Sequence, residues 1–187
     1  MNKVLSLLAG LFLLSSWATA QTLTGTTILP DQTPICDVLV NLYDDQGSLV
    51  DQDLTNAAGQ FAFNGLTAGA DYRLEFVKEG ASLNGVSTFD IVKTAKHILG
   101  LEILPDYAIW AADVNNSNTI STYDLVVSRR LILGLDSDLP ADNWRFGAVG
   151  TISPNNQIPI SNLPATLTID VIGVKVGDVN FSVFPCQ

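Results

Sequence analysis

Apolar and polar side chains alternate with a period of two from residue 22 to residue 78. The stretches TLTGTTIL (22–29), DVLVNLYD (37–44), GSLVDQDL (47–54), GQFAFNGL (59–66) and DYRLEFV (71–77) are short and rich in Val, Leu, Phe, Tyr and Thr. Turn-forming residues separate them: Pro30-Asp31, Asp45-Gln46-Gly47, Asn56 to Gly59 and Ala68-Gly69-Ala70. Side chains that alternate in this way point to opposite faces of a strand, one toward a core and one toward water. The pattern predicts five strands of a small β-sandwich. Phe61, Phe63, Tyr72 and Phe76 fall at strand spacing and are expected in the core rather than on a sugar-stacking surface.

Past Gly80 the period lengthens to that of a helix. STFDIVKTAKHILGL (87–101) and STYDLVVSRRLILGL (121–135) lie 34 residues apart and agree at 8 of 15 positions. Ile91, Val92, Ala95, Ile98 and Leu99 form one helical stripe, and Leu125, Val126, Arg129, Ile132 and Leu133 occupy its counterpart. Gly100 and Gly134 stand where C-terminal helix caps belong. A loop–helix unit has been duplicated.

The amino terminus changes the picture of where the chain works. Lys3, the apolar run Val4 to Leu14 and the small-residue site Ala18-Thr19-Ala20 have the form of an export signal cleaved before Gln21. The apolar run is too short to span a bilayer, and no later stretch reaches the length. The expected mature chain of 167 residues is therefore secreted, extracellular or at the cell surface, with no membrane span. Without Lys3 it holds 8 Lys and Arg against 19 Asp and Glu. That balance repels phosphate backbones, which argues against nucleic acid as a partner, and suits a divalent cation. Cys36 and Cys186 are expected to form a disulfide in an oxidising compartment. A buried thiol at 36 with a free or intermolecular thiol at 186 is the alternative.

The loop before the second helix, DVNNSNTISTYD (113–124), places oxygen donors at alternate positions. Asp113, Asn115, Ser117, Ser121 and Asp124 supply side chains at positions 1, 3, 5, 9 and 12, and Thr119 a carbonyl at position 7. Calcium takes six to eight hard oxygens, and a loop of alternate donors wraps one ion. Ile120, at position 8, is expected to point inward and meet its counterpart from the other repeat. The first repeat keeps only the back half of such a loop: Gly85 at 7, Val86 at 8, Ser87 at 9 and Asp90 at 12. Its front half offers only Glu79, because Ala81 and Leu83 stand where donors belong. The missing half lies at the far end of the chain as DVNFS (178–182). Joining 178–182 to 84–90 restores twelve residues, with Asp178, Asn180, Ser182, Gly85, Ser87 and Asp90 in the donor positions. The expectation is two calcium ions, one in the intact loop and one in a loop split between the first helix and the tail; a degenerate first site is the alternative.

Two resemblances follow from these phrases. Residues 22–76, with the run from Thr55 to Leu74, resemble the Cna-B-like or carboxypeptidase-regulatory-like sandwich, which implies a stalk, spacer or carbohydrate-binding-like module without a catalytic group. The phrases LNGVSTFDIV, HILGLE, AADVNNSNTISTYDLVVSRRLILGL, NWRF and IGVKVGDVN, across 83–180, resemble dockerin type I, in a divergent form of exported Bacteroidetes-type proteins. Asp rather than Glu at position 12 is typical of that family's loop. The resemblance implies a calcium-folded module that plugs polysaccharide-degrading enzymes into cohesin-bearing scaffolds. The family's Ser-Thr pair at loop positions 10 and 11 is replaced by Thr88-Phe89 and Thr122-Tyr123, whereas Lys96 and Arg130 keep its basic position. Cohesin readout is thus not present as written.

Nothing points to catalysis. His97 is the single histidine and reads as a helix-surface residue. No phosphate-binding glycine loop, HExxH or CxxC occurs. Trp110, Trp144 and Phe146 are expected to pack. The fold expected is α+β: residues 21–79 as a Greek-key β-sandwich, then residues 80–187 as a two-helix dockerin-like module with paired EF-hand-type calcium loops. The function expected is a non-catalytic secreted calcium-binding module for extracellular assembly or adhesion. The alternatives are a dockerin bound to cohesin in a polysaccharide-degrading complex, and a structural subunit of an extracellular polymer. A protein partner, either a cohesin or a second copy, and a glycan are the candidate partners.

Overall fold

The alternating segment forms five strands in a computed structural model that describes residues 21–151 and 154–186. They are β1 (Gln21–Ile28), β2 (Leu39–Asp44), β3 (Leu49–Leu54), β4 (Gln60–Leu66) and β5 (Tyr72–Val77). The export signal read at 1–20 lies outside the described residues. Among those residues no helix is long and apolar enough to cross a membrane.

Alternation sets which side chains meet. Leu23 of β1, Val40 and Leu42 of β2, Phe61 and Phe63 of β4, and Leu74 and Phe76 of β5 are all buried in one core. Thr27, also buried, keeps its hydroxyl satisfied by donating to Ile35 O at 2.6 Å. Phe61 meets Phe76 edge-on at 5.8 Å, and Phe76 meets Phe146 at the same distance. The aromatic residues are therefore packing groups.

Three further strands complete the sandwich, and they come from residues beyond 79: β6 (Trp144–Ala148), β7 (Gln157–Ile160) and β8 (Thr166–Lys175). One sheet has the order β4-β1-β8-β6, the other β3-β2-β5-β7. β1 and β8 run parallel, Thr22 facing Thr166 and Ile28 facing Ile172; every other named pair is antiparallel. The sandwich thus draws on 144–175 as well as on 21–79. The strand pattern is lost there for a physical reason: Thr166 to Asp170 alternate, but the rest of β8 is buried on both faces.

The cover over β8 is a helix absent from the two-helix expectation. Three helices occur among the described residues: α1 (Thr88–Ile98), α2 (Asp106–Ala112) and α3 (Thr122–Ile132). Ala108, Trp110 and Ala111 of α2 share a buried cluster with Ile172 and Val174 of β8. α1 and α3 are built alike. Ser87 and Ser121 cap them in reciprocal boxes with Asp90 and Asp124, and Gly100 and Gly134 each follow the C-cap at φ 66°.

The apolar stripes of these helices face the interior only in part: Ile132 packs against the cluster of Val127 and Leu131. Val92, Leu99, Val126 and Leu133 are at least half exposed, while Asp90, Thr94, Asp124, Val127, Ser128 and Leu131 are buried. The capping aspartates decide this. Each must face its loop, and the residue four places on follows to the same side of the helix.

Candidate metal centre

The tail that leaves β8 lies against the loop that enters α1. Ser182 Oγ donates to Gly85 O at 3.1 Å and Val179 N donates to Asp90 Oδ1 at 3.0 Å. The two halves of the split loop, 97 residues apart at the first of these contacts, meet as the spacing of their donors suggests.

The split loop reproduces most of the intact one's hydrogen bonds; the bond of Ser117 N to Asn115 Oδ1 has no counterpart at Asn180. In the intact loop Asp113 accepts the amides of Ser117 at 2.9 Å and Asn118 at 2.8 Å; in the split loop Asp178 accepts those of Ser182 at 3.1 Å and Val183 at 2.8 Å. The last aspartate of each takes the amide just after the first: Val114 N to Asp124 at 3.1 Å, Val179 N to Asp90 at 3.0 Å. Ser117 and Ser182 turn their hydroxyls to the carbonyls of Thr119 and Gly85, both at 3.1 Å. Asn116 and Phe181, each fourth in its loop, have φ of 57° and 58°. One detail differs from the spacing argument: the sixth position belongs to Val183 of the tail, not to Asn84. Asn84 instead donates from Nδ2 to Phe184 O.

The apolar residues inside the loops also pair differently from expectation. Val86 joins Val114, Val127 and Val176 in one cluster, whereas Ile120 packs against the cluster of Leu104, Trp110 and Val179. Position 8 of each loop therefore shares a cluster with position 2 of the other, and the two position-8 residues sit in separate clusters.

Four carboxylates are buried in this small region: Asp178 is 0% exposed, Asp124 1%, Asp90 2% and Asp113 4%. Burial pushes the Asp178 carboxyl above its ordinary value; the amides of Ser182 and Val183 pull it down, and repulsion from Asp90 pushes it up again. The side-chain amide of Asn180 turns its nitrogen inward, donating to Asp90 Oδ1 at 3.1 Å, Ser182 Oγ at 3.0 Å and Asp178 Oδ1 at 2.5 Å. A calcium ion bound here would need that amide to present its oxygen instead.

The donor chemistry fits that ion. Among the described residues no three His, Cys, Asp or Glu side chains come together, so each loop brings two carboxylates and must draw its other oxygens elsewhere. In the split loop these would be Asn180, Ser182 and the Gly85 carbonyl; in the intact loop Asn115, Ser117 and the Thr119 carbonyl. An all-oxygen set of this kind suits calcium and not a soft metal. Ser87 and Ser121 serve their helices as caps, with hydroxyls 2.8 and 3.1 Å from Asp90 and Asp124.

Gly85 is a position where only glycine fits. Its φ is +80°, and a Cβ there would lie 2.7 Å from Asp178 Oδ2 and 3.0 Å from Val183 Cα. Gly85→Ala is expected to cost roughly 1–3 kcal/mol and to push the tail off the loop. Gly134→Ala shares the positive φ but meets nothing within 4 Å, so thermal melting of the two variants should show the larger loss at Gly85.

Cys36 and Cys186 form a disulfide with Cα atoms 5.3 Å apart, which anchors the tail beside β2. Lys175 is buried, and its ammonium donates to Ser82 O at 2.9 Å, Val176 O at 3.2 Å and Asn143 Oδ1 at 3.3 Å. Burial lowers its pKa to about 8, with Asp178 and Asp138 pulling the other way. Glu79 is exposed and outside the loop. His97 is half-buried, and its Nδ1 accepts the amide of Leu104 at 3.1 Å, holding the turn after α1. Lys96 and Arg130 pair with Glu102 and Asp136 at the surface. Sequence reasoning passed over Arg145, which reaches from β6 into the intact loop.

No protein-family model matches this chain and no curated protein matches it. Among solved structures, the major pilin subunit of Bacillus cereus is 12% identical, with a TM-score of 0.35 over 82% of this chain and 30% of that one. A pilus-presented adhesin is 10% identical, at 0.33 over 84% and 28%. An adhesin from Mobiluncus mulieris is 9% identical, at 0.32 over 82% and 40%. This chain spans less than half the length of each. At such TM-scores the likenesses carry no argument about what the chain does.

Proposed function

We propose that the chain is a non-catalytic extracellular module, stabilised by two calcium ions, that serves protein assembly or adhesion. The observation that carries the reading is the split loop: two segments 97 residues apart at their Gly85–Ser182 contact reproduce most of the hydrogen bonds of an intact calcium-type loop. The shared register of Asp178, Asn180, Ser182, Gly85 and Asp90 with Asp113, Asn115, Ser117, Thr119 and Asp124 supports this reading over a degenerate first site. The cation would offset the repulsion between buried carboxylates that otherwise oppose folding. The disulfide and the export-type amino terminus support an oxidising, extracellular setting.

A second reading, a dockerin that attaches to cohesin, is favoured by one specific feature. Phe89 and Val92 on α1 with Leu99 at its C-cap, and Tyr123 and Val126 on α3 with Leu133 at its C-cap, form matching exposed apolar stripes beside Lys96 and Arg130. Such paired stripes suit a protein partner. The altered Ser-Thr positions stand against the usual code.

Calorimetric titration of EDTA-stripped protein tests the calcium reading. Two ions should bind, and calcium at a hundredfold excess over its dissociation constant should stabilise the fold by about 2.7 kcal/mol per site. Absence of both heat and a rise in melting temperature at millimolar calcium would remove it. Cohesin capture separates the second reading, and light scattering with and without EDTA reports self-association.

A further inference from the structure

The two loops match in most of their hydrogen bonds but not in the charge that faces them. Arg145, on β6, extends to the intact loop. Its Nη1 donates to Trp110 O at 2.8 Å and lies 3.6 Å from Asp113 Oδ2; its Nη2 donates to Asp113 O at 2.6 Å and Asn116 Oδ1 at 3.1 Å. The side chains of Arg145 and Asp113 are only 11% and 6% exposed, so little water screens the pair.

Asp178, the counterpart of Asp113, has no guanidinium bonded into its loop. Among the described residues the ion pairs include none to Asp178 or Asp90. Lys175, three residues before Asp178, gives its ammonium to Ser82 O, Val176 O and Asn143 Oδ1. The group that faces the carboxylates of the split loop is the neutral amide of Asn180.

This difference decides what calcium gains at each place. A guanidinium beside Asp113 already offsets part of the loop's negative charge, and it repels an arriving cation. At the split loop two buried carboxylates face each other with no direct ion pair, the Lys175 ammonium acting on Asp178 only at a distance, so an ion there relieves both their repulsion and their lost hydration. We infer that the two sites are unequal: the split loop takes calcium first and more tightly, and Arg145 holds the intact loop to weaker binding. The inference rests on the calcium reading above. It inverts the order suggested by motif quality, since the unbroken loop becomes the weaker site.

Calcium titration by calorimetry tests it on the stripped protein and four variants. The unaltered protein should show two steps at least about tenfold apart. Asp178→Ala should remove the tighter step and spare the weaker, and Asp113→Ala should do the reverse. Arg145→Gln should tighten the weaker step by about tenfold and draw the two together, while Arg145→Lys, which keeps the charge, should hold them apart. Arg145→Gln also removes three hydrogen bonds; if circular dichroism shows that form unfolded, the two aspartate variants alone decide the order. Two equal steps, or loss of the tighter step in Asp113→Ala, overturns the inference and leaves the calcium reading standing. No heat in any form overturns both.

Discussion

Deleting residues 177–187 should take one calcium ion from the protein and leave the other. The deletion removes Asp178, Asn180 and Ser182, half of the split loop's donors, and leaves 113–124 whole. Asp178→Ala should affect the same ion without removing the tail's packing, since Val179 and Val183 remain buried in their clusters. Asp90→Ala should act on that ion too. The double variant should lose little beyond either single change, because both carboxylates serve one cation and neighbours that share a partner are not additive. Asp113→Ala should combine with either more nearly additively. A degenerate first site predicts something else: deletion would lower stability and leave the calcium count unchanged. Stoichiometry measured on the folded, truncated protein separates the two, and an unchanged count sinks the split loop.

The second large effect concerns the disulfide. Cys36 and Cys186 are 150 residues apart, so the bond closes nearly the whole described chain. Removing it with Cys186→Ser should cost about 4–5 kcal/mol in the chain-entropy account. Cys36→Ser should cost nearly as much, and the double variant no more, because the two share one bond. The tail is held at one end by β8 and at the other by this bond, with the donors of the split loop between. The same variant should therefore weaken the split-loop calcium step more than the intact-loop step. Denaturant midpoints of oxidised and Cys186→Ser protein give the first quantity; equal midpoints would show that the closed chain adds nothing.

How much of this was legible depends on what each segment faces. The five strands between 22 and 78 fall within two residues of their expected ends; β1, β4 and β5 leave one face to water and so keep their alternation, while β3, exposed along most of its length, is marked by the turns that flank it. β8 was hidden because α2 covers it, turning Ile172 to Val174 into a continuous apolar run. α2 itself was hidden by its seven residues and its proline cap. Donor spacing was enough to suggest joining 178–182 to 84–90, since a loop of alternate donors constrains side chains whether or not the chain is continuous. It could not place Val183, because the crossing of two strands of backbone is not written in either one. Arg145 was beyond reach for a similar reason: its bond to Asp113 O spans 32 residues and belongs to no local motif.

The parallel pairing of β1 with β8 has a kinetic consequence. Thr24 and Thr168 are 144 residues apart, yet they sit side by side in the sheet. Contacts of such separation raise contact order and slow folding, since the intervening chain must be closed before the pairing repays it. Until residues 166–175 arrive, one edge of β1 stays open, and an open edge invites pairing with another chain. A nascent or truncated chain that stops before residue 166 should aggregate where the full chain does not. Because the tail follows β8 directly, the strand that seals the sheet also delivers Asp178 to its loop, so closure of the sandwich and completion of the metal centre become a single late event.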